Sequence, residues 1–133
     1  MRNFDNDTIR VITAFENITG TEVRDCICSE VVYFLVNPGK IAITIGKNGH
    51  NIKTAEKMLG KPIKVFEWAE DDTEFIRNMI GKAQKIEIKD EKATVTISRE
   101  NRGPVIGREG CNIKIIRELL VRNSEVKELK ILP

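Results

Sequence analysis

The sequence predicts an α+β fold built from two small tandem units, and three observations carry that prediction. A nine-residue stretch, Ile45-Gly46-Lys47-Asn48-Gly49-His50-Asn51-Ile52-Lys53, recurs 61 residues later as Ile106-Gly107-Arg108-Glu109-Gly110-Cys111-Asn112-Ile113-Lys114. The same offset carries Ala55 onto Ile116 and Leu59 onto Leu120, so the match runs on through the apolar stripe of a helix. The order of helical and alternating segments around each copy is also shared: helix, strand, strand, glycine loop, helix, strand. Two copies of this unit account for all 133 residues, as domains 1–68 and 69–133.

In the first unit Asp5 or Asn6 caps a helix that carries Ile9, Ile12, Phe15 and Ile18 at helical spacing and stops at Gly20. Residues 23–29 and 31–36 are rich in β-branched and aromatic types and read as two strands around a tight turn near Ser29 and Glu30. Asn37-Pro38-Gly39 closes the second strand. Residues 40–45 are strand-like by propensity, with no local signal to settle their conformation. Past the glycines, Ile52, Ala55 and Leu59 mark a helix ending at Gly60, and 63–68 reads as a strand that includes Phe66 and Trp68.

The second unit repeats that order. Asp71 or Asp72 caps a helix with Phe75, Ile76, Met79, Ile80 and Ala83 on one face. Strands follow at 85–89 and 92–98, joined by a turn at Asp90 and Glu91. Arg102-Gly103-Pro104-Val105-Ile106 leads into the second glycine loop, a helix carries Ile113, Ile116 and Leu120, and 126–132 forms the last strand.

Composition narrows the function. With 41% hydrophobic and 32% charged residues, the chain has the make-up of a folded, soluble protein. Asp5, Asp7 and Arg10 interrupt the N-terminal stretch where a secretory signal needs an apolar run, and no uncharged run approaches membrane-spanning length. A cytoplasmic location is the expectation. Three cysteines, Cys26, Cys28 and Cys111, make no disulfide framework, and a zinc site would require all three to converge with His50, the single histidine. Net charge is only +2, yet it is unevenly spread. Between residues 40 and 64, Lys40, Lys47, Lys53, Lys57, Lys61 and Lys64 face Glu56 alone, a local charge of +5. Between 99 and 122 six cations stand against Glu100, Glu109 and Glu118, a local charge of +3. Each basic cluster contains one copy of the glycine repeat.

Two glycines separated by two residues at the start of a helix suit close approach to a phosphate backbone, because neither carries a Cβ. The helix start adds amide donors and partial positive charge. Lys47 and Arg108 lie within the loops, and Lys53 and Lys114 follow about one turn further along each helix. Asn51 and Asn112 suit either a helix cap or a base edge. Gly46-Lys47-Asn48-Gly49 is too short for the Gly-x-x-x-x-Gly-Lys-Ser/Thr of a nucleotide-hydrolysing P-loop. His50 aligns with Cys111, so the two copies share no acid, base or nucleophile, and no enzyme activity is expected.

Ile45-Gly46-Lys47-Asn48-Gly49 and Ile106-Gly107-Arg108-Glu109-Gly110 resemble the Ile-Gly-x-x-Gly signature of KH domains, which clamp about four nucleotides of single-stranded backbone. With a helix and strand before each core, the arrangement resembles type II KH domains. Over nearly the whole chain the closer resemblance is to the short archaeal NusA-like family, two such domains associated with transcription termination. This resemblance implies two tandem type II KH domains, each helix-strand-strand-helix-GxxG-helix-strand, packed as one rigid unit. It makes 40–45 and 101–106 short helices, against the strand propensity of the former. The implied RNA-binding residues are Ile45, Gly46, Lys47, Asn48, Gly49, His50, Asn51 and Lys53, with Ile106, Gly107, Arg108, Glu109, Gly110, Asn112 and Lys114.

The implied partner is single-stranded RNA, with no membrane, no small-molecule substrate and no cofactor. RNA polymerase or other transcription machinery is a further candidate partner, although the chain shows no counterpart of the polymerase-binding amino-terminal domain or the S1 domain of bacterial NusA. Glu109 departs from a purely basic loop. The alternative within the same fold is a ribosome-assembly or ribosomal-RNA-binding factor.

Overall fold

Asp5 starts helix α1 (Asn6–Thr19) by accepting a 2.7 Å hydrogen bond from the Thr8 amide, and Gly20 ends it in the left-handed region. The computed structural model describes residues 4–133, so the first three residues of the charged N-terminal stretch lie outside the described residues. The chain divides into two compact units that meet between Glu67 and Trp68.

In the first unit β1 (Val23–Cys28) pairs antiparallel with β2 (Val32–Val36), which pairs parallel with β3 (Ile63–Glu67). A parallel partner requires a crossover. Here it is α2 (Ile41–Ile45), the glycine loop and α3 (His50–Leu59), so the sheet topology itself suspends the loop between two helices. The central strand β2 is buried along its whole length. Beneath α1 and α3 the core joins Phe15, Cys26, Val32, Phe34, Ala55 and Ile63, with the Phe15 and Phe34 rings stacked at 3.7 Å. Tyr33 is buried and stacks on Phe66.

Residues 41–45 form a helix although four of the five are β-branched. The Thr44 hydroxyl donates to the Lys40 carbonyl at 2.7 Å and Thr44 is fully buried, so docking overrides strand propensity.

The second unit has the same element order: α4 (Asp72–Met79), β4 (Lys85–Lys89), β5 (Lys92–Thr96), α5 (Arg99–Ile106), α6 (Cys111–Asn123) and β6 (Glu128–Leu132). Its sheet again has an antiparallel first pair and a parallel second pair. The apolar face expected of α4 continues to Ile80 and Ala83, but the helix ends at Met79. Ile80 adopts φ −123° and ψ 80° while staying buried, and Gly81, a poor helix former, follows. Helix α5 tolerates Pro104 and extends two residues further back than the expected 101–106. Trp68, expected inside the last strand of the first unit, lies just past it. Its indole N–H donates to the Asn123 carbonyl at 2.9 Å, satisfying the end of α6.

The turn between β4 and β5 places both Asp90 (φ 51°) and Glu91 (φ 65°) in the left-handed region, as a two-residue type I′ hairpin requires. Asp tolerates that region; Glu does so at a cost. Glu91→Gly is expected to raise stability by about 0.5–1 kcal/mol, read as a shift in the urea midpoint at unchanged slope.

Candidate nucleic-acid interface

The two glycine loops fold almost identically. Gly46 and Gly107 have φ 80° and 77°, Asn48 and Glu109 have φ 55° and 56°, and Gly49 and Gly110 have φ 73° and 74°. Each loop therefore places two consecutive left-handed residues ahead of its helix, which turns the chain sharply and sends the middle residues outward. Lys47, Asn48, Arg108 and Glu109 are all exposed. Within the loops the Gly46 and Gly49 amides are engaged by the carbonyls of Ala42 and Gly46, and the Gly107 and Gly110 amides by those of Gly103 and Gly107.

The two glycines of each loop serve different ends. A Cβ on Gly46 would lie 2.8 Å from Asn51 Cγ, and one on Gly107 would lie 2.7 Å from Asn112 Cβ. At Gly49 the nearest atom to such a Cβ is Lys53 Cε at 3.8 Å, and at Gly110 it is Ile113 Cγ2 at 4.0 Å. The first glycine thus makes room for an asparagine, and the second keeps the outer surface of the loop bare. Asn51 Nδ2 donates to the Ile43 carbonyl at 3.0 Å, and Asn112 Nδ2 donates to the Val105 carbonyl at 2.7 Å. Both asparagines tie the helix after the loop to the last turn of the helix before it, where carbonyls lack helical partners. Neither asparagine caps its own helix, as the sequence allowed; each ties back to the preceding helix instead, and Asn112 is buried to 7% exposure.

In the first unit Gly46, Lys47, Asn48, His50, Asn51 and Lys53 gather around one depression of about 440 Å³. Next to it runs a groove of about 340 Å³ lined by Ile45, Gly49, Ile52, Lys53, Glu56, Ile63 and Val65. Its walls are aliphatic apart from Glu56, and the exposed Lys53 and Ile45 are among the residues that line it. A strip of this kind suits a flat base against aliphatic carbons with phosphates along the cationic loop. In the second unit Arg108, Glu109 and Lys114 are exposed on the matching loop and helix, Ile106 is half-buried, and Ile113 is buried.

Sequence reasoning did not single out Glu56, Ile63 and Val65 as groove residues. The signal for Ile63 and Val65 is three-dimensional, since β3 follows α3 in sequence but lines the groove only once it pairs beside β2. Among the described residues no group of three or more His, Cys, Asp and Glu side chains is placed to hold a metal ion. Cys26 and Cys28 lie with their sulfurs 3.9 Å apart, one buried and one exposed.

Because only the first glycine faces an internal obstacle, Gly46→Ala should destabilise the protein more than Gly49→Ala by about 1–2 kcal/mol. Both add positive-φ strain, so the difference in thermal or chemical denaturation isolates the clash with Asn51.

A family model described as "KH domain" matches residues 10–70. The probable transcription termination protein NusA of Methanocaldococcus jannaschii is 32% identical over 133 residues, covering 95% of this chain and 73% of the relative. The protein of the same name from Methanococcus vannielii is 31% identical, covering 94% of this chain and 76% of the relative. Among solved structures, the crystal structure of APE1850 superposes with a TM-score of 0.75 at 27% identity, covering 97% of this chain and 100% of the other. Kinship that extends across both glycine loops and all the elements that carry them defines the protein: it belongs to the archaeal NusA-like family of KH-domain proteins.

Proposed function

We propose that the chain binds single-stranded RNA through both Gly-x-x-Gly loops and acts on nascent transcripts in transcription termination or its regulation. A protein of this family is an RNA-binding protein, not an enzyme. The observation that carries the reading is the loop itself: a bare second glycine between exposed cations, beside an aliphatic groove open to one flat base. The recurrence of the same backbone angles in the second unit supports reading it as a second type II KH domain. RNA-binding residues in this reading are those of the two loops and helix starts, Ile45 to Asn51 with Lys53, and Ile106 to Gly110 with Asn112 and Lys114.

Only Trp68, Ala69 and Glu70 stand between β3 and the Asp71 cap, with no Gly, Pro or Ser among them. A connection this short favours two domains acting as one unit on a continuous strand, which makes the second contact intramolecular. Among the described residues no helix is long and apolar enough to cross a membrane. The cytoplasm, with RNA polymerase or other transcription machinery nearby, is the setting this function requires.

Replacing Lys47 and Asn48 together by Asp should abolish most RNA binding with the fold retained, because both side chains are exposed and two carboxylates would face phosphate. In the same binding assay Glu109→Lys should tighten binding and steepen its salt dependence by about one phosphate contact. Unchanged affinity in a folded Lys47/Asn48 double variant would remove the first loop from the site.

Crosslinking in cells, followed by sequencing of the bound RNA, checks the biological role. Nascent transcripts are the expected catch. Recovery of ribosomal RNA alone would instead make the protein a ribosome-assembly factor.

A further inference from the structure

Cys26 and Cys28 take no part in the interface described above. They are alternate residues of β1, so both side chains leave the same face of the strand, and their sulfurs stand 3.9 Å apart. At that distance the two sulfurs touch. Their surroundings differ. Cys26 is 2% exposed and belongs to the core with Phe15, Val32 and Phe34. Cys28 is exposed and lines a cavity of about 330 Å³ together with Val11, Val32, Leu59 and Lys61. A small oxidant therefore meets the outer thiol first, with the inner thiol in contact behind it. An accessible thiol backed by a second one is the arrangement that turns a sulfenic acid into a disulfide before it oxidises further.

Strand geometry decides what kind of disulfide this pair can make. Two residues along a strand span about 6.4–6.8 Å, the upper end of the roughly 4.4–6.8 Å that separates Cα atoms in disulfides. Closing the bond brings the sulfurs from 3.9 Å to about 2.05 Å, so β1 has to pucker between the Cys26 pairing with Phe34 and the Cys28 pairing with Val32. It is placed to do so. β1 is an outer strand of its sheet and already carries an irregularity between Val23 and Asp25. A ring closed over three residues returns little chain entropy against this distortion. Strain of that kind makes a disulfide easier to reduce, within reach of cellular thiols.

We propose that Cys26 and Cys28 form a reversible oxidation site, closed to an intrastrand disulfide by peroxide. The Cys28 thiolate attacks one peroxide oxygen, the O–O bond breaks, hydroxide leaves, and Cys28 becomes a sulfenic acid. The Cys26 sulfur, giving up its proton, then attacks the Cys28 sulfur and expels hydroxide as the S–S bond forms. In sum the two thiols lose two electrons and two protons, and one hydrogen peroxide is reduced to two waters. This inference is independent of the RNA reading.

The test is a hydrogen peroxide titration of the intact protein, followed by alkylation of free thiols, cleavage after Lys and Arg, and mass measurement. The peptide 25–40 holds both Cys26 and Cys28, and the peptide 109–114 holds Cys111, which is exposed at the start of α6 and serves as the internal comparison. Peptide 25–40 should lose two hydrogens and escape alkylation, while 109–114 is alkylated or gains oxygen. Millimolar glutathione should restore both thiols. Cys26→Ala should leave Cys28 as a sulfenic acid that dimedone captures, and Cys28→Ser should leave Cys26 a thiol at the same peroxide dose. The oxidised protein should melt several degrees below the reduced one.

Oxygen added to peptide 25–40 without loss of two hydrogens, or a disulfide joining two chains, would overturn the inference. So would a disulfide that glutathione leaves intact or that raises the melting temperature, since either marks a structural bond.

Discussion

The contact between the first glycine of each loop and the asparagine five residues later is the constraint on which the site depends. There is no space for a Cβ at Gly46 or Gly107, because Asn51 and Asn112 occupy it. From there each asparagine reaches back to a carbonyl of the preceding helix. One short polar side chain thus closes a helix-turn-helix by giving a partner to a carbonyl at the end of the preceding helix. The left-handed pair that follows is a consequence of the same closure, since the chain must reverse within four residues to bring the asparagine back. Exposure of Lys47 and Arg108 follows from that reversal.

The sheet provides the complementary constraint. A parallel pair beside an antiparallel pair requires the chain to cross from β2 to β3, and from β5 to β6, over one face. The loop sits midway along that crossing, and in the first unit the helices on both sides of it contact β3. In the first unit the anchor is the stacked pair Phe15 and Phe34, which joins the first helix to the central strand. Small domains gain only modest stability from one core, and a fully buried central strand concentrates that gain where the crossover begins and ends.

Some of the differences between the two units leave this frame untouched. Asn48 and Glu109 hold the same left-handed angles, but asparagine accepts them readily and glutamate only at a cost, so the second loop carries strain together with an added negative charge. Glu56 and Arg117 make the same helix-to-strand tie with reversed donors and acceptors.

Local chemistry decided most of what was readable from the sequence alone. Asp5 and Asp71 as caps, Gly20 and Gly60 as stops, the Asp90 and Glu91 turn and the two glycine loops each depend on residues within one turn of chain, and the structure places them accordingly. The repeat, which is a property of sequence, established that the unit occurs twice. Tertiary structure decided the rest. Residues 41–45 are helical because Thr44 is buried and back-bonded, which their β-branched composition opposes. Trp68 leaves its strand to meet a carbonyl 55 residues away in sequence. Whether Asn51 and Asn112 face a ligand or the backbone, and whether Glu56 lines a groove or a solvated helix face, depends on which helix and strand lie alongside. Such pairings are fixed by docking across the core, and no window of neighbouring residues contains them.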